Sequence, residues 1–210
     1  MAFALVESGK ITKLINGNKG IKIGDTQYPS SFFSTIYSEA ERNAAGVYTI
    51  ELDSTNRKDE TYYINTDITY SYDSSANKVK GVYGSATEKP VNDVKWTQAQ
   101  IDDPSLVGPA PAGADTNTVR ITGLKAEYKE FFNKEAARLL AKTDWYVIKA
   151  ADVESYSVPS NIKTYRAAVR TKVNEMETAI DNCADVAALE TLLSYKTGTR
   201  PLGEFPDEVV

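Results

Sequence analysis

The sequence contains no histidine and a single cysteine, Cys183. Without imidazole it has no Ser-His-Asp or Cys-His catalytic arrangement and no histidine-containing zinc or non-haem iron site. One cysteine cannot form an intrachain disulfide or supply a multi-cysteine metal cluster, so nothing here requires an oxidising compartment. The composition therefore predicts a protein without a cofactor or a metal site.

An excess of positive charge is also missing. Lys and Arg number 24 against 29 Asp and Glu, which gives a net charge of −5 and a pI near 5.0. Binding to a phosphate backbone needs concentrated basic residues. We therefore expect no nucleic-acid partner.

Long apolar runs are absent as well. The apolar residues 1–6 are too few, and too free of flanking positive charge, for a signal peptide. No later stretch approaches the ~20 apolar residues of a membrane-spanning helix. We expect neither membrane insertion nor signal-directed secretion.

Residues 1–95 predict a β-rich domain, because short runs of Phe, Val, Ile, Tyr and Thr alternate with Gly, Asn and Asp turns. We expect antiparallel strands joined by turns such as 16–20, where Asn and Gly tolerate positive φ. One short helix interrupts them, since Ser38 and Glu41 fit a capping box and Gly46 ends the helix. The predicted strands are 3–6, 11–15, 21–23, 48–52, 62–64, 68–72 and 79–83.

Residues 96–120 predict a linker between two domains. Asp103 precedes Pro104, and the run Gly-Pro-Ala-Pro-Ala-Gly at 108–113 can neither continue a helix nor supply all the hydrogen bonds of a strand. The hydrophobic period then changes from two to about 3.6. The linker therefore separates a β-rich domain from a helical one.

The helical domain, 121–196, is predicted as an antiparallel hairpin plus a short third helix. Apolar stripes run from Leu124 to Leu140 and from Ile162 to Ile180, and Asp185 can cap the third helix. An extended tail, 197–210, follows, and its apolar residues can dock onto a neighbouring element. They are Leu202, Phe205, Val209 and Val210. The predicted fold class is α+β.

Several acidic or nucleophilic groups have a structural interpretation that is simpler than a catalytic one. Asp73, Ser75 and Asn77 have calcium-loop spacing, but the glycine and the closing glutamate are missing, so we expect a hairpin turn. The acidic pairs at 102–103 and 207–208 lie in loop and tail sequence and should be solvated. Cys183 follows an apolar stripe and should be a small buried side chain rather than a nucleophile.

The tyrosines of the β-rich domain leave two interpretations open. They alternate with Thr, Ser and Asn, so their rings can either fill a core or present a binding face. Core filling is the simpler of the two. The candidate surface-binding residues are Tyr62, Tyr63, Tyr70, Tyr72 and Tyr83.

One segment carries a family resemblance. Residues 137–148 are Ala-Arg-Leu-Leu-Ala-Lys-Thr-Asp-Trp-Tyr-Val-Ile, and a proline and Tyr-Arg-Ala-Ala-Val-Arg at 165–170 follow. This pattern resembles the tail assembly chaperones and tail-fibre assembly proteins of tailed bacteriophages, which show LLxxTDW, a loop with a proline and YRxxLR. The residues quoted, 137–170, are 34 of the 210 in the chain. The signature residues are Leu139, Leu140, Asp144, Trp145, Pro159, Tyr165, Arg166 and Arg170.

The N-terminal part is similar to uncharacterised proteins found beside tail-fibre genes in marine phages. This second resemblance rests on short strand sequences. They are Phe3-Ala4-Leu5-Val6-Glu7, Gly20-Ile21-Lys22-Ile23, Gln27-Tyr28-Pro29 and Tyr62-Tyr63-Ile64-Asn65.

Together the resemblances imply a structural protein of the phage tail, located at the tail tip, the baseplate or a tail fibre. Its partners would be other tail or fibre proteins, further copies of itself in a homo-oligomer, and a host-surface receptor. It would be made in the host cytoplasm and reside in the virion. The alternative is an assembly chaperone that is absent from the mature virion. A third interpretation, a host-glycan-binding or glycan-modifying protein, rests on the tyrosines and scattered acids.

The chain offers only carboxylates and tyrosines for chemistry, so we expect no enzymatic activity. The signature is either structural or an interaction site. We expect Trp145, just past the first helix, and Tyr165 to be largely buried at the hairpin junction. Arg166 and Arg170 lie one turn apart and should be more exposed, free to pair with Asp144 or with an acidic partner.

Overall fold

The computed structural model describes residues 2–17, 19–195 and 198–209. Contacts within the chain divide it into two compact units, Met1–Thr87 and Glu88–Val210. Sheets dominate the first unit and helices the second, which confirms the predicted α+β class. Three details of the predictions lie outside the described residues: the turn residue Asn18, the division between residues 196 and 197, and the docking of Val210.

The first unit is built on a five-stranded sheet. The strands of this unit are β1 (Phe3–Glu7), β2 (Lys10–Ile15), β3 (Ile21–Ile23), β4 (Thr26–Tyr28), β5 (Val47–Asp53), β6 (Tyr63–Ile64), β7 (Ile68–Asp73) and β8 (Lys78–Tyr83). A further strand, β9 (Thr87–Glu88), spans the division between the units and pairs with β6. The order in the large sheet is β2-β1-β5-β8-β7, and β3 pairs with β4. All the predicted strands form, with ends that differ by at most one residue.

Within the large sheet, β5 and β8 run parallel, while the other pairs are antiparallel. The prediction of antiparallel strands is therefore wrong for this one pair. Parallel neighbours need a long connection, which here contains β6 and β7, and no local turn sequence reveals such a crossover. The sheet also curls, so that its edge strands β2 and β7 approach each other.

Both faces of this sheet carry apolar clusters, because successive side chains of a strand point to opposite faces. On one face Phe3 and Val47 pack with Phe32 and Phe33 from a short 3-10 turn, Ser30–Phe33. The other face holds a second buried cluster, which consists of Ala4, Ile50 and Val79.

The predicted capping box begins helix α1 (Glu39–Ala44). The Ser38 hydroxyl accepts the Glu41 amide at 3.2 Å, and the Glu41 carboxylate accepts the Ser38 amide at 2.7 Å. This backbone hydrogen bond to the charged form lowers the pKa of Glu41. Gly46 follows the helix with φ of 78°, a conformation that glycine adopts without strain.

The second unit contains two short strands and a set of helices. They are β10 (Val94–Lys95), α2 (Gln98–Asp102), β11 (Val119–Ile121), α3 (Leu124–Ala141), α4 (Asp144–Asp152), α5 (Ser160–Asp181) and α6 (Val186–Leu193). The stripes that predicted the two long helices coincide with α3 and α5, and Asp185 caps α6 as predicted.

The predicted linker, 96–120, does not coincide with the division between the units. Strands β10 and β11 pair antiparallel, with Val94 opposite Ile121, so the chain leaves and returns to one place in the second unit. Trp96 is buried at the start of this excursion. A two-residue strand carries no readable hydrophobic period, which is why the Pro/Gly-rich composition suggested a boundary here.

Helices α3 and α5 pack against each other and run in opposite directions. Lys129 near the start of α3 pairs with Asp181 at the end of α5, at 2.8 Å, while Leu140 near the end of α3 contacts Arg166 near the start of α5. Helix α6 also packs on α5. The side chains that α5 buries are Ile162, Tyr165, Arg166, Val169, Val173, Met176 and Ile180.

The C-terminal segment is docked at Leu202. The Leu202 side chain is buried, its amide donates to the Leu192 carbonyl at 3.1 Å, and its carbonyl accepts Lys172 Nζ at 3.0 Å. Further along, Glu208 pairs with Lys142. These contacts attach the segment to α3, α5 and α6.

Candidate functional site

The two halves of the signature segment meet where α3 ends and α4 begins. Helix α3 ends at Ala141, and Thr143 precedes the first residue of α4. The Thr143 hydroxyl does not cap α4 but donates to the Leu140 carbonyl at 3.0 Å. Its side chain therefore satisfies one of the last carbonyls of α3, which have no partner within the helix.

Arg166 of α5 fixes this junction. Its Nη1 atom donates to the Leu140 carbonyl at 2.8 Å and to Thr143 Oγ1 at 2.7 Å, and it pairs with Asp144 Oδ1 at 2.8 Å. The Arg166 side chain is 10% exposed, whereas that of Asp144 is 51% exposed. A buried guanidinium is stable only with such partners, so one side chain joins α3, α4 and α5.

The predicted exposure of Arg166 is wrong, while its pairing with Asp144 is confirmed. The position lies beside the apolar stripe of α5, and the sequence does not show that the end of α3 brings two oxygen acceptors to it. Arg170 is exposed as predicted, and its Nη1 lies 3.5 Å from the Arg166 carbonyl. Of these two arginines, the structure therefore brings Arg166 to the α3–α4 junction.

The other inward-facing signature residues line the same region of the unit. Leu139 and Tyr165 are buried, as predicted, and Leu140 is half-buried. Pro159 precedes the first residue of α5. The hydroxyl of Tyr165 is buried and has no hydrogen-bond partner among the described residues, and burial raises its pKa.

Trp145 lies on the outside of this junction and is 51% exposed, so the prediction that it is buried is wrong. The expected exit loop is a nine-residue helix, α4, and none of its residues is buried. Trp145, Ile148, Lys149 and Asp152 are spaced i, i+3, i+4 and i+7, which places them on one side of α4. We call these four residues the α4 face. Their helical spacing is visible in the sequence, but nine residues bounded by short loops were predicted as loop.

Aromatic contacts hold Trp145 in place on this surface. Its ring lies 4.1 Å from that of Tyr146, measured between centroids. Lys149 Nζ lies 5.5 Å from the centroid of Trp145 and 4.4 Å from that of Tyr156. A cation over an aromatic face is attracted by the ring electrons. The α4 face therefore presents a half-exposed indole whose ring contacts, to Tyr146 and Lys149, lie within its own helix.

The candidate binding tyrosines of the first unit separate into two groups. Tyr62 and Tyr63 are buried, in agreement with core filling. Tyr70, Tyr72 and Tyr83 are half-buried, and the first two pack against the cluster around Ile50. The structure does not gather the five rings on one open surface.

The remaining sequence candidates have structural surroundings. Cys183 is buried, and burial raises its pKa, which favours the unreactive thiol. Asp73 Oδ1 accepts the amides of Ser75 and Ala76 in the turn between β7 and β8, which confirms the hairpin. The acidic pairs are exposed as predicted, although Glu208 is engaged by Lys142.

In the part of the chain that the structure describes, no group of three or more acidic or cysteine side chains is placed to hold a metal ion. None of the helices described is both long and apolar enough to cross a membrane. No protein-family model, curated protein or solved structure matches the chain. The candidate site is therefore assigned from geometry, and it consists of the α4 face and the α3–α4 junction beneath it.

Proposed function

We propose that the chain is a non-enzymatic structural subunit of a bacteriophage tail and acts through protein contacts made by the α4 face. It would reside at the tail tip, the baseplate or a tail fibre. The observation that carries the proposal is a split within the signature: Tyr165 and Arg166 are buried beneath the junction, whereas Trp145 stands exposed on top of it.

An exposed tryptophan on a firmly held helix is typical of a contact surface. Indole rings are enriched among the residues that dominate protein interfaces, because they bury a large area with few rotatable bonds. Ile148, on the same face, is 67% exposed, and Val147 beside it is 43% exposed. Apolar side chains clustered on one short helix mark an interaction surface more than isolated ones do.

In this proposal α3 and α5 form a helical hairpin that α6 closes, and the hairpin supports α4. The Pro/Gly-rich segment 96–120 is an excursion from that unit. Copies of the chain assemble with one another and with other tail or fibre proteins, and a host-surface receptor is a further partner. The gene product is made in the host cytoplasm and enters the virion.

The proposal is tested by mass spectrometry of purified phage particles that carry this gene. Peptides of the chain should be present in a fixed ratio to a known tail protein. Peptides found in infected cells but absent from particles would support the assembly chaperone instead. Absence from both the particles and their assembly intermediates would overturn the proposal.

A further inference from the structure

The α4 face combines an uncovered apolar surface with an acidic end. Asp152 is the last residue of α4, and Glu154 lies two residues beyond it. Both are exposed, and neither forms an ion pair within the described residues. The apolar part, Trp145 and Ile148, begins one to two turns earlier on the same side of the helix.

Three cations at the end of α3 and near the start of α5 are already engaged in ion pairs. Arg166 pairs with Asp144, Arg138 pairs with Glu135 at 2.9 Å, and Lys142 pairs with Glu208. Lys149 is held over two aromatic rings. Among the described residues, no Lys or Arg side chain lies within ion-pair distance of either carboxylate.

The position of these carboxylates is electrostatically unfavourable in the isolated chain. The C-terminal end of a helix carries partial negative charge, so acidic side chains there are repelled and cations are attracted. A positive group brought by another molecule would be attracted by the helix end and by both carboxylates. Such a group would lie one or two turns from the exposed indole.

From this arrangement we infer that the α4 face binds a basic amphipathic segment of another protein, an inference that rests on the proposed function. The apolar side of that segment would cover Trp145 and Ile148, and its Lys or Arg residues would pair with Asp152 and Glu154. Helix α4 is about 13 Å long, so two to three helical turns of the partner suffice. This is the helix-on-helix mode of recognition, with charge setting the orientation.

Charge also decides against other occupants. A second copy of the chain would bring the same acidic end and the same net charge of −5. Nucleic acid and anionic lipid would bring phosphates toward Asp152 and Glu154, which repel them. The surface is complementary to a protein segment rich in Lys or Arg.

The test is isothermal titration calorimetry of the full chain with two synthetic helical peptides of 14 residues. Both carry Leu on one face, and the other face carries Lys in one peptide and Glu in the other. The Lys peptide should bind, and binding should weaken at least tenfold between 50 and 500 mM salt because the charges are exposed. The Glu peptide should not bind.

Substitutions on the α4 face and at a control position show whether the Lys peptide binds at this face. Trp145→Ala should weaken it about tenfold or more, as for a central interface residue. The double variant Asp152→Asn, Glu154→Gln should weaken it at least fivefold by the loss of opposite charges. Asp67→Asn with Glu88→Gln, two exposed acids distant in sequence, changes the net charge equally and should leave binding unchanged. Circular dichroism melts verify that each variant is folded.

Four results would overturn the inference: no binding of the Lys peptide, equal binding of the Glu peptide, equal weakening by the two double variants, or self-association in ultracentrifugation that Trp145→Ala abolishes. The last would make a second copy the occupant. Because the particle experiment does not depend on these peptides, a chain present in particles that fails here refutes the partner and not the tail function.

Discussion

Helices α4 and α5 are consecutive in the chain, and α4 is the richer in apolar residues, yet α5 buries seven side chains and α4 buries none. The difference lies in their neighbours. α5 packs with both α3 and α6, whereas α4 makes its principal helix contacts with α3. Apolar composition thus indicates which side chains can be buried, and the packing of neighbouring helices determines which of them are buried. Because α4 is apolar and still exposed, we propose that it is a surface for another molecule.

The largest difference between the two helices should appear when each loses an apolar side chain. Met176 on α5 is fully buried, so Met176→Ala should lower the free energy of unfolding by about 2–5 kcal/mol, through lost burial and a cavity. Ile148→Ala on α4 is the matched control and should change it by no more than about 0.5 kcal/mol. Urea denaturation measures both. A large loss for Ile148→Ala would mean that α4 is covered in solution.

The connection between the helices should be nearly as sensitive. Arg166→Met removes one of the donors to the Leu140 carbonyl, the donor to Thr143 Oγ1 and the charge paired with Asp144. We expect a loss of about 1–3 kcal/mol, since unpaired buried polar groups are costly. Arg166→Lys should recover only part of it, because an ammonium lacks the planar fork. Thermal melts that are identical for all three proteins would show that the junction does not need the guanidinium.

The same comparison shows how far the sequence predicts the fold. The stripes of α3 and α5 were readable because long helices repeat their period several times, and capping residues located α1 and α6. Helix α4 was missed because nine residues give little more than two turns of signal. The parallel β5–β8 pair and the β10–β11 pair depend on contacts distant in sequence, which periodicity does not encode.

For the candidate site, the sequence indicated which residues lie close together but not which of their side chains are buried. The signature identified Asp144, Trp145 and Arg166 as residues that belong together, and their proximity is confirmed for the ion pair. It placed the tryptophan inside and the arginine outside, following average burial preferences. The structure reverses both, because the carbonyl end of α3 gives the arginine buried acceptors and the helical path of α4 turns the indole outward.

The reversal makes Trp145→Ala a sharp test of whether the indole belongs to a core or to a surface. A buried tryptophan replaced by alanine costs ~3–5 kcal/mol. Because Trp145 is 51% exposed, we expect a loss below about 1 kcal/mol in the isolated chain. The urea midpoint measures this, with Met176→Ala as the reference for a true core position. A loss of the larger size would place the indole in the core and remove the proposed contact surface.

The smallest effect at neutral pH should come from Tyr165→Phe on α5, whose hydroxyl is buried without a partner among the described residues. Removing an unsatisfied hydroxyl is neutral or slightly stabilising, so we expect a change within about 0.5 kcal/mol at pH 7. Alkaline pH should separate the proteins, because burial raises the pKa of Tyr165 above its usual 10.0. Between pH 10 and the raised pKa the unfolded chain releases this proton while the folded chain keeps it, so stability falls as pH rises through that window. The variant has no such proton, and its free energy of unfolding should fall less steeply from pH 9 to 11. Equal slopes for the two proteins would show that the hydroxyl ionises as freely in the folded chain as in water, and that the inner side of the signature is more open than that of a helix core.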